Sequence, residues 1–322
     1  MDFLGQRMPY VTAFSKALGT GMMISADSPI GDESRSAMES LIEDYERVLS
    51  RFRNDSLTAT IGKAEHGGSF DFPDWCAPLF DLYDALFSAT SGAIDPCVGE
   101  DLIRLGYDAS LSFTVTQDAP EHLGALRGRA VWGRDVTRHG TTLVTHEPVQ
   151  LDFGACGKGY LVDLLGRMLR STQFVIDAGG DLLIHAEQPI SVALEDPEDQ
   201  SHAIGIAHIA NGALCASAPS RRHWNVAVNE RTQIAIHHLL NAIDGLPAQQ
   251  TEASWAYIPA NATLNLARDY PAAVADGLAT ALFVSDATQL QRTFDFAYAT
   301  LNESRQIAAS RNFPAELFLR SA

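Results

Sequence analysis

Hydrophobic residues recur every three or four positions in two segments of the first third of the chain. The first segment spans residues 32–52 and the second spans residues 75–87. This spacing places the apolar side chains on one face of a helix, so each segment is predicted to be a helix that packs on the core. The apolar positions are Met38, Leu41, Ile42, Tyr45, Val48, Leu49 and Phe52 in the first segment, and Trp75, Leu79, Leu82, Tyr83, Leu86 and Phe87 in the second.

Six further segments have the apolar runs and the flanking polar, glycine-bearing turns that are typical of β-strands. They are residues 21–26, 144–153, 174–178, 190–195, 234–240 and 253–258. Helices and strands mix along the chain without a regular βαβ rhythm, which predicts an α+β fold. The sequence has no internal repeat and no obvious linker, so residues 1–322 are predicted to form a single domain of two lobes.

Residues 152–163 read Asp-Phe-Gly-Ala-Cys-Gly-Lys-Gly-Tyr-Leu-Val-Asp, with one lysine among three glycines. The pattern predicts the end of a strand and a glycine-rich loop that leads into a helix. Glycines let the backbone approach a ligand closely, and both the first amides of the helix and the charge of Lys158 would favour phosphate. The spacing matches neither of the nucleotide motifs GxxxxGK[ST] and GxGxxG, so a helix cap with a chance lysine is the alternative.

The overall charge restricts the classes of ligand. The 322 residues are 46% hydrophobic and 20% charged, but 40 acidic residues against 23 basic ones give a formal net charge of −17. This charge argues against nucleic acid or an anionic membrane as the main partner. An anionic ligand would have to be bound by groups that act at short range, such as a lysine, helix amides or a divalent cation. The composition therefore favours a metal ion.

Targeting and cysteine patterns predict a cytoplasmic protein without disulfides. The sequence has no run of 18 or more apolar residues, which predicts no stable membrane insertion, and its first seven residues lack the pattern of a secretory signal. The four cysteines stand far apart without CxxC spacing, so they are predicted to be buried thiols rather than metal ligands. They are Cys76, Cys97, Cys156 and Cys215.

A segment of small residues after Pro271 predicts a helix that carries Asp276 and Thr280 four positions apart. This spacing places the carboxylate and the hydroxyl on one face of the helix. Both groups are hard oxygen ligands that suit Mg²⁺, which keeps its other coordination positions for water and phosphate. The alternative is an exposed aspartate and a threonine that bonds to its own helix.

His237 and His238 stand side by side at the end of a predicted strand, before a turn with Gly245 and Pro247. Neighbouring strand residues face opposite ways, so only one imidazole can face a given cleft. Histidine is the usual residue for proton transfer near neutral pH, but a pair of packed or surface histidines explains the pattern equally well. Asp95 precedes a proline that favours extended geometry and fixes its carboxylate, although a simple Asx-type turn is the alternative.

In their order, these segments resemble the ApbE family of flavin transferases, which move FMN from FAD onto a protein. Residues 50–56 are similar to the family stretch SRFRPDS, residues 92–96 to GAFDPT and residues 152–163 to DLGGIAKGYAVD. The remaining similar stretches are residues 18–20 to MGT, 177–181 to NLGGD, 237–247 to HHIIDPRTGRP and 276–281 to DALATA. Each stretch is weakly specific alone, whereas the ordered set is specific.

The resemblance implies an ApbE-like, T-fold-like architecture of mainly antiparallel sheets flanked by helices. It also implies a cleft in which FAD is bound with its pyrophosphate on Mg²⁺. The metal ligands would be Asp276, Thr280 and the backbone carbonyl of Ala155, and His238 would lie near the reacting phosphate. The other residues of the flavin site would be Leu18, Phe52, Ala93, Ile94, Asp95, Asp152, Lys158 and Leu240.

The activity implied by the resemblance is Mg²⁺-dependent transfer of FMN from FAD to a threonine or serine hydroxyl of a target protein, with release of AMP. His238 and Asp276 would be the catalytic residues. One alternative is an FAD pyrophosphatase that forms FMN and AMP with water as the nucleophile. Another is a non-catalytic FAD-binding protein, because Ala216, Ala218 and Asn241 stand where the family has Thr, Gly and Asp.

Overall fold

Sixteen strands and ten α-helices are present in the computed structural model, which describes residues 4–229 and 232–318. The strands are β1 (Tyr10–Phe14), β2 (Met22–Ala26), β3 (Gly68–Asp71), β4 (Val136–His139), β5 (Thr142–Thr145), β6 (Phe174–Asp177), β7 (Asp181–Glu195), β8 (Ala203–Ser217), β9 (His223–Asn229), β10 (Thr232–His237), β11 (Leu240–Asn241), β12 (Leu246–Pro247), β13 (Thr251–Pro259), β14 (Ala297–Asn302), β15 (Ile307–Ala309) and β16 (Ala315–Leu317). The helices are α1 (Leu4–Arg7), α2 (Asp32–Leu49), α3 (Leu57–Lys63), α4 (Ala77–Ala89), α5 (Gly99–Arg104), α6 (Ala119–His122), α7 (Gly154–Gly166), α8 (Asn265–Asp269), α9 (Pro271–Ala281) and α10 (Ala287–Leu290).

The largest sheet has nine strands in the order β1-β2-β6-β7-β8-β13-β14-β15, with β16 also paired to β8. Its strand pairs are antiparallel throughout. A three-stranded sheet, β3-β5-β4, and two short ribbons, β9-β10 and β11-β12, complete the strands of the described chain. Mixed helices and antiparallel strands confirm the predicted α+β fold.

Neighbouring residues along the strands of the large sheet pack into different hydrophobic cores. Ile176 and Ala256 belong to the larger core, whereas Val175 and Trp255 belong to the smaller one. Side chains alternate between the two faces of a strand, so each core covers one face of the sheet. Helices α2, α4, α7 and α9 contribute their buried residues to the larger core and therefore lie on that face.

The predicted helices at residues 32–52 and 75–87 are confirmed as α2 and α4. Helix α2 ends at Leu49 because Ser50 already has extended backbone angles. The predicted strands at residues 21–26, 174–178, 190–195 and 253–258 are confirmed in β2, β6, β7 and β13. All four cysteines are buried and free, as predicted.

Two of the strand predictions differ from the structure. The prediction for residues 144–153 is wrong beyond Thr145, because β5 ends there and the chain bends before Pro148, which has no amide to donate to a sheet. The prediction for residues 234–240 is only partly right, since β10 ends at His237. In the described part of the chain, none of the helices has the length and apolar character that a membrane span requires.

The glycine-rich loop predicted before a helix is also wrong, because helix α7 already begins at Gly154 and includes Gly157 and Gly159. The reason is the contact between α7 and α9. A Cβ atom on Gly159 would stand 2.1 Å from the carbonyl oxygen of Ala272. Glycine in a helix costs about 1 kcal/mol relative to alanine. Here it allows the two helix backbones to approach closely.

Replacing Gly159 by alanine is expected to lower the free energy of unfolding by about 2 kcal/mol or more, because the new methyl group would collide with the backbone of α9. Urea unfolding followed by circular dichroism measures the change. The matched control is Gly157→Ala in the same helix, where the nearest atom to an added Cβ is the Tyr45 hydroxyl at 3.4 Å. Equal stability of the two variants would contradict this account of the helix contact.

Candidate active site

Helices α7 and α9 bring Lys158 and Asp276 into direct contact. The Lys158 Nζ atom lies 3.0 Å from Asp276 Oδ1, and the Gly159 backbone amide donates to Asp276 Oδ2 at 3.0 Å. Asp276 is only 1% exposed, so the alternative of an exposed aspartate is wrong. Burial and the nearby Asp181 raise the pKa of Asp276, whereas Lys158 and the Gly159 amide oppose that shift. The carboxylate is therefore buried and held between two donors of one helix.

A second buried carboxylate, that of Asp181, also pairs with Lys158. Its Oδ2 atom lies 2.6 Å from Lys158 Nζ, and the aspartate is 1% exposed. Burial alone would lower the pKa of Lys158, but the two carboxylates raise it above its ordinary value. Asp181 was not predicted as a site residue. Its position at the end of the Gly179-Gly180 turn, within a stretch that resembles the family, was the available signal.

Thr280, four residues after Asp276 on α9, contacts Ala155 of α7. The Thr280 hydroxyl donates to the Ala155 carbonyl at 3.5 Å. The Ser217 hydroxyl lies 3.4 Å from the Thr280 hydroxyl. Thr280 therefore contacts another helix and a strand rather than only its own helix. Ser217 retains a hydroxyl at this point although Ala216 and Ala218 flank it.

The oxygen atoms of this group suit a small hard cation. They comprise a carboxylate, a hydroxyl and a backbone carbonyl, from Asp276, Thr280 and Ala155, which are the donor types that Mg²⁺ prefers. Residues 4–229 and 232–318 contain no group of three or more His, Cys, Asp and Glu side chains that could hold a metal ion. A metal at this point would therefore depend on uncharged oxygens and on phosphate or water for most of its ligands.

Asp152 pairs with Arg51, which joins two of the predicted motifs. The Arg51 guanidinium donates to Asp152 Oδ2 and, at 2.6 Å, to the carbonyl of Tyr107. It also lies 4.1 Å from the centroid of the Phe52 ring. Phe52 is 38% exposed and contacts the Tyr107 ring edge to face at 5.3 Å. The second Asp152 oxygen accepts the Gly154 amide at 2.6 Å and so caps the start of α7.

The two predicted histidines have different environments. His237 accepts the Leu239 amide at Nδ1, and its Nε2 lies 3.0 Å from the Ala248 carbonyl. Both of its nitrogens therefore serve the local backbone. His238 Nδ1 lies 3.2 Å from the Arg222 carbonyl, to which it must donate. The lone pair of His238 is thus on Nε2, which is where a proton would be accepted.

The imidazole of His238 lies near Tyr107, the neighbour of the predicted flavin contact Phe52. Its ring centroid is 6.3 Å from that of Tyr107, which also contacts Phe52. Burial lowers the pKa of His238 to about 4, and the positive charges of Arg222 and Lys158 act in the same direction. His238 is therefore neutral at pH 7.

The turn at Ala93, Ile94 and Asp95 is held against the segment that carries Leu240. The Ala242 amide donates to the Ala93 carbonyl at 3.0 Å. All four of these predicted flavin contacts are buried, so any contact with a ligand would involve backbone atoms or small exposed parts of their side chains. Asp95 Oδ1 accepts the Cys97 amide at 2.7 Å, as in an Asx-type turn. Its role as a flavin contact stays a prediction.

Arg129 is a buried residue that the sequence did not single out and that connects these segments. Its side chain is 0% exposed and lies 2.8 Å from Asp101 Oδ2 and 3.4 Å from Asp95 Oδ2. It also donates to the Ala242 carbonyl at 2.7 Å. Because burial disfavours the charged carboxylate, the pKa of Asp101 is raised to about 6 even though Arg129 opposes the shift. Arg129 thus links the turn at Asp95 to the loop that follows His238.

Replacing Arg129 by methionine is expected to lower the free energy of unfolding by about 3–5 kcal/mol, because two buried carboxylates lose their counter-charge. Chemical denaturation measures the loss. The control is Arg138→Met, which removes a partly exposed arginine that also pairs with two aspartates, Asp81 and Asp84. That substitution should cost about 1 kcal/mol or less. Similar losses in both variants would contradict the role given to Arg129.

Leu18 lies in a turn that approaches the segment leading to Asp181. The leucine has a left-handed backbone, with φ of 52°, and its amide donates to Glu46 Oε1 at 2.8 Å. A Cβ on Gly179 would stand 3.6 Å from the Thr20 side chain, so Thr20 lies against the turn at 177–181. Leu18 stands two residues before Thr20 in the chain. Its contact with a flavin stays a prediction.

Asn241 and Asp244 both stabilise the turn after the histidines. Asn241 Oδ1 accepts the Ile243 amide at 3.0 Å, and Asp244 Oδ1 accepts the Leu246 amide at 3.0 Å. A side-chain oxygen is sufficient for these bonds, whether it belongs to an amide or a carboxylate. The replacement of the family aspartate by Asn241 is therefore compatible with the same turn.

The family pattern of ApbE matches residues 18–300, which include all of the site residues described above. The chain belongs to the ApbE family. It is 26% identical over 275 residues to the FAD:protein FMN transferase of Treponema pallidum (strain Nichols), an alignment that covers 76% of this chain and 69% of that protein. The resemblance inferred from the ordered motifs is thus confirmed.

Solved ApbE structures share the fold of this chain. The ApbE protein of Thermotoga maritima superposes with a TM-score of 0.75 at 20% identity, over 95% of this chain and 99% of that one. The flavin transferase ApbE of Vibrio cholerae superposes with a TM-score of 0.74 at 17% identity, over 94% of this chain and 98% of that one. At these identities the similarity establishes the ApbE fold, and the chemistry must be argued from the site.

Proposed function

We propose that this protein transfers FMN from FAD to a threonine or serine hydroxyl of a target protein, with AMP as the leaving group and Mg²⁺ as the cofactor. Its ApbE relative from Treponema pallidum is named as an FAD:protein FMN transferase. The observation that carries the proposal is the contact of Lys158 with Asp276 beside Thr280 and the Ala155 carbonyl. This arrangement provides an ammonium group and three oxygen donors within a protein of net charge −17.

The residues of the site would act on different parts of FAD. Asp276, Thr280 and Ala155 would hold Mg²⁺, which when bound neutralises the pyrophosphate and the charge that develops on the leaving AMP. Lys158 would add a second positive charge on the same phosphates. Phe52, with Arg51 on its face, offers a partly exposed aromatic surface beside Asp152.

In the transfer step, the hydroxyl oxygen of the target forms a bond to the FMN phosphorus, and the bond from that phosphorus to the bridging oxygen breaks. AMP leaves with the electron pair of the broken bond. The hydroxyl proton passes to His238, whose Nε2 carries the lone pair because Nδ1 donates to the Arg222 carbonyl. A neutral histidine at pH 7 is suited to this role, since it can accept a proton at once.

The proposal is tested by incubating the protein with FAD, Mg²⁺ and a candidate acceptor domain. Flavin fluorescence fixed to the acceptor in a denaturing gel, together with an equal amount of free AMP, is the expected result. The control acceptor has valine in place of its target threonine and should remain unlabelled. Free FMN and AMP without acceptor labelling would instead identify a pyrophosphatase, and unchanged FAD would identify a binding protein.

A further inference from the structure

We propose that Asp181 is a positioning residue that holds Lys158, so that Lys158 and a divalent cation can share the carboxylate of Asp276. The inference rests on the proposed function, because it concerns the metal of that same site. Lys158 Nζ lies 2.6 Å from Asp181 Oδ2 and 3.0 Å from Asp276 Oδ1. The ammonium thus has two carboxylate partners, of which only Asp276 belongs to the proposed metal ligands.

Asp181 is well placed to hold a charge in one position. It is the first residue of β7 and pairs in register with Cys215 of β8, inside the large sheet. The turn before it is fixed by two backbone bonds, from the Ala178 amide to the Asp181 carbonyl and from the Ala216 amide to the Gly180 carbonyl. Because the backbone of Asp181 is fixed in the sheet, its carboxylate cannot move toward solvent with Lys158. The ion pair with Asp181 therefore holds the ammonium of Lys158 at this position.

The second oxygen of Asp181 shows that the group is not satisfied by the protein alone. Oδ1 is buried and has no nitrogen or oxygen donor among the described residues; the Cys215 thiol beside the carboxylate is only a weak donor. A buried carboxylate oxygen in this state is unfavourable unless positive charge is nearby. When both carboxylates are ionised, they outnumber the one ammonium and leave one excess negative charge, which favours a further cation.

The electrostatics of a shared carboxylate explain why a second aspartate is required. A divalent cation on Asp276 would repel the ammonium that already contacts Asp276. If Asp276 were its only partner, Lys158 would compete with the metal or turn away, since its side chain is 30% exposed. Asp181 supplies a counter-charge that the metal does not use. Lys158 can then remain beside the phosphate site after the metal has bound.

The test compares Mn²⁺ binding to the wild type and to Asp181→Asn, with Mn²⁺ alone as the probe and the paramagnetic resonance signal of unbound Mn²⁺ as the readout. We expect the Kd of the variant to rise about tenfold or more, as for the loss of one close charge. Asp177→Asn is the matched control, because its carboxylate bonds only to the amides of Gly179 and Gly180 in the same turn. Its Kd should change less than about threefold, because the Asp177 carboxylate forms no ion pair with Lys158.

A second readout follows the lysine itself. Lys158 is labelled with an amine-acylating reagent, with and without Mn²⁺, and the modified peptide is quantified by mass spectrometry. Mn²⁺ should leave the labelling of the wild type low and should raise that of Asp181→Asn several-fold. If Mn²⁺ does not change the labelling of the variant, or if its Kd equals that of the wild type, the role of Asp181 is refuted.

Lys158→Met keeps the proposal testable if Asp181→Asn does not fold. With the ammonium removed and both carboxylates present, the variant should bind Mn²⁺ more tightly than the wild type. Equal or weaker binding would overturn the inference. A wild type that binds no Mn²⁺ would refute the metal of the proposed function, whereas normal binding in Asp181→Asn would refute only the role of Asp181.

Discussion

Replacing Asp276 by asparagine is expected to reduce FMN transfer by about 10³-fold or more. The carboxylate is the only charged group among the three proposed metal ligands, and it also contacts Lys158 at 3.0 Å. Without the Asp276 carboxylate the site would hold no metal ion. A protein of net charge −17 then has little positive charge to offset the negative charge of a bound pyrophosphate. Initial rates of acceptor labelling at saturating FAD and Mg²⁺ measure the loss.

Asp269→Asn is the matched control for Asp276→Asn. Asp269 is exposed at the end of α8, directly before α9, and pairs with Arg268 at the surface. The control removes the same charge from the neighbouring helix and should leave the transfer rate unchanged within about twofold. Near-wild-type transfer by Asp276→Asn, without added metal, would show that the site does not work through a cation at this position.

Replacing His238 by asparagine is expected to reduce kcat by about 10²- to 10⁴-fold, the usual contribution of a general base. Asparagine can keep the donor to the Arg222 carbonyl while it removes the Nε2 lone pair. His237→Gln is the control, since His237 uses both ring nitrogens for backbone contacts with Leu239 and Ala248. That variant should mainly lose stability. A larger loss of kcat in His237→Gln than in His238→Asn would reverse the assignment of the two histidines.

The wild-type kcat is expected to stay nearly constant as the pH falls from 8 to about 5, because burial lowers the pKa of His238 to about 4. An ordinary histidine, with a pKa near 6.5, would already lose activity above pH 6. The free energy of unfolding, in contrast to kcat, is expected to depend on pH in this range. Between pH 6.5 and 4 the unfolded chain binds a proton at His238 more readily than the folded chain, so the contribution of His238 to the free energy of unfolding should fall as the pH is lowered through this range.

This pH dependence is checked by measuring kcat at saturating substrates and urea unfolding at pH 7 and pH 5. His238→Asn should lose less stability than the wild type between those two values, because it no longer has the buried imidazole that must be protonated. An acid limb of kcat with a midpoint near 6.5 would show that His238 is solvated during turnover or is not the base.

Most of the secondary structure that surrounds the site followed from local patterns. The stripe from Met38 to Leu49 predicted α2, because one face of a helix must be apolar to pack on a core. The glycines at residues 154–159 were predicted to form a loop, but they lie in helix α7. Glycine is common both in loops and where two helices pack closely, so the sequence alone does not separate the two cases. Only the approach of Ala272 distinguishes the two.

The sequence by itself determined the family, the α+β class and the chemical types of the site residues, because these depend on motif order and on side-chain chemistry. Only the tertiary structure decided which charges meet. Lys158 and Asp276 are 118 residues apart in the chain, and Asp181 and Arg129 became part of the site through contacts that no local pattern contains. Local spacing fixes what a segment can become, whereas the free energy of a buried charge depends on partners that only the packing of distant segments brings near.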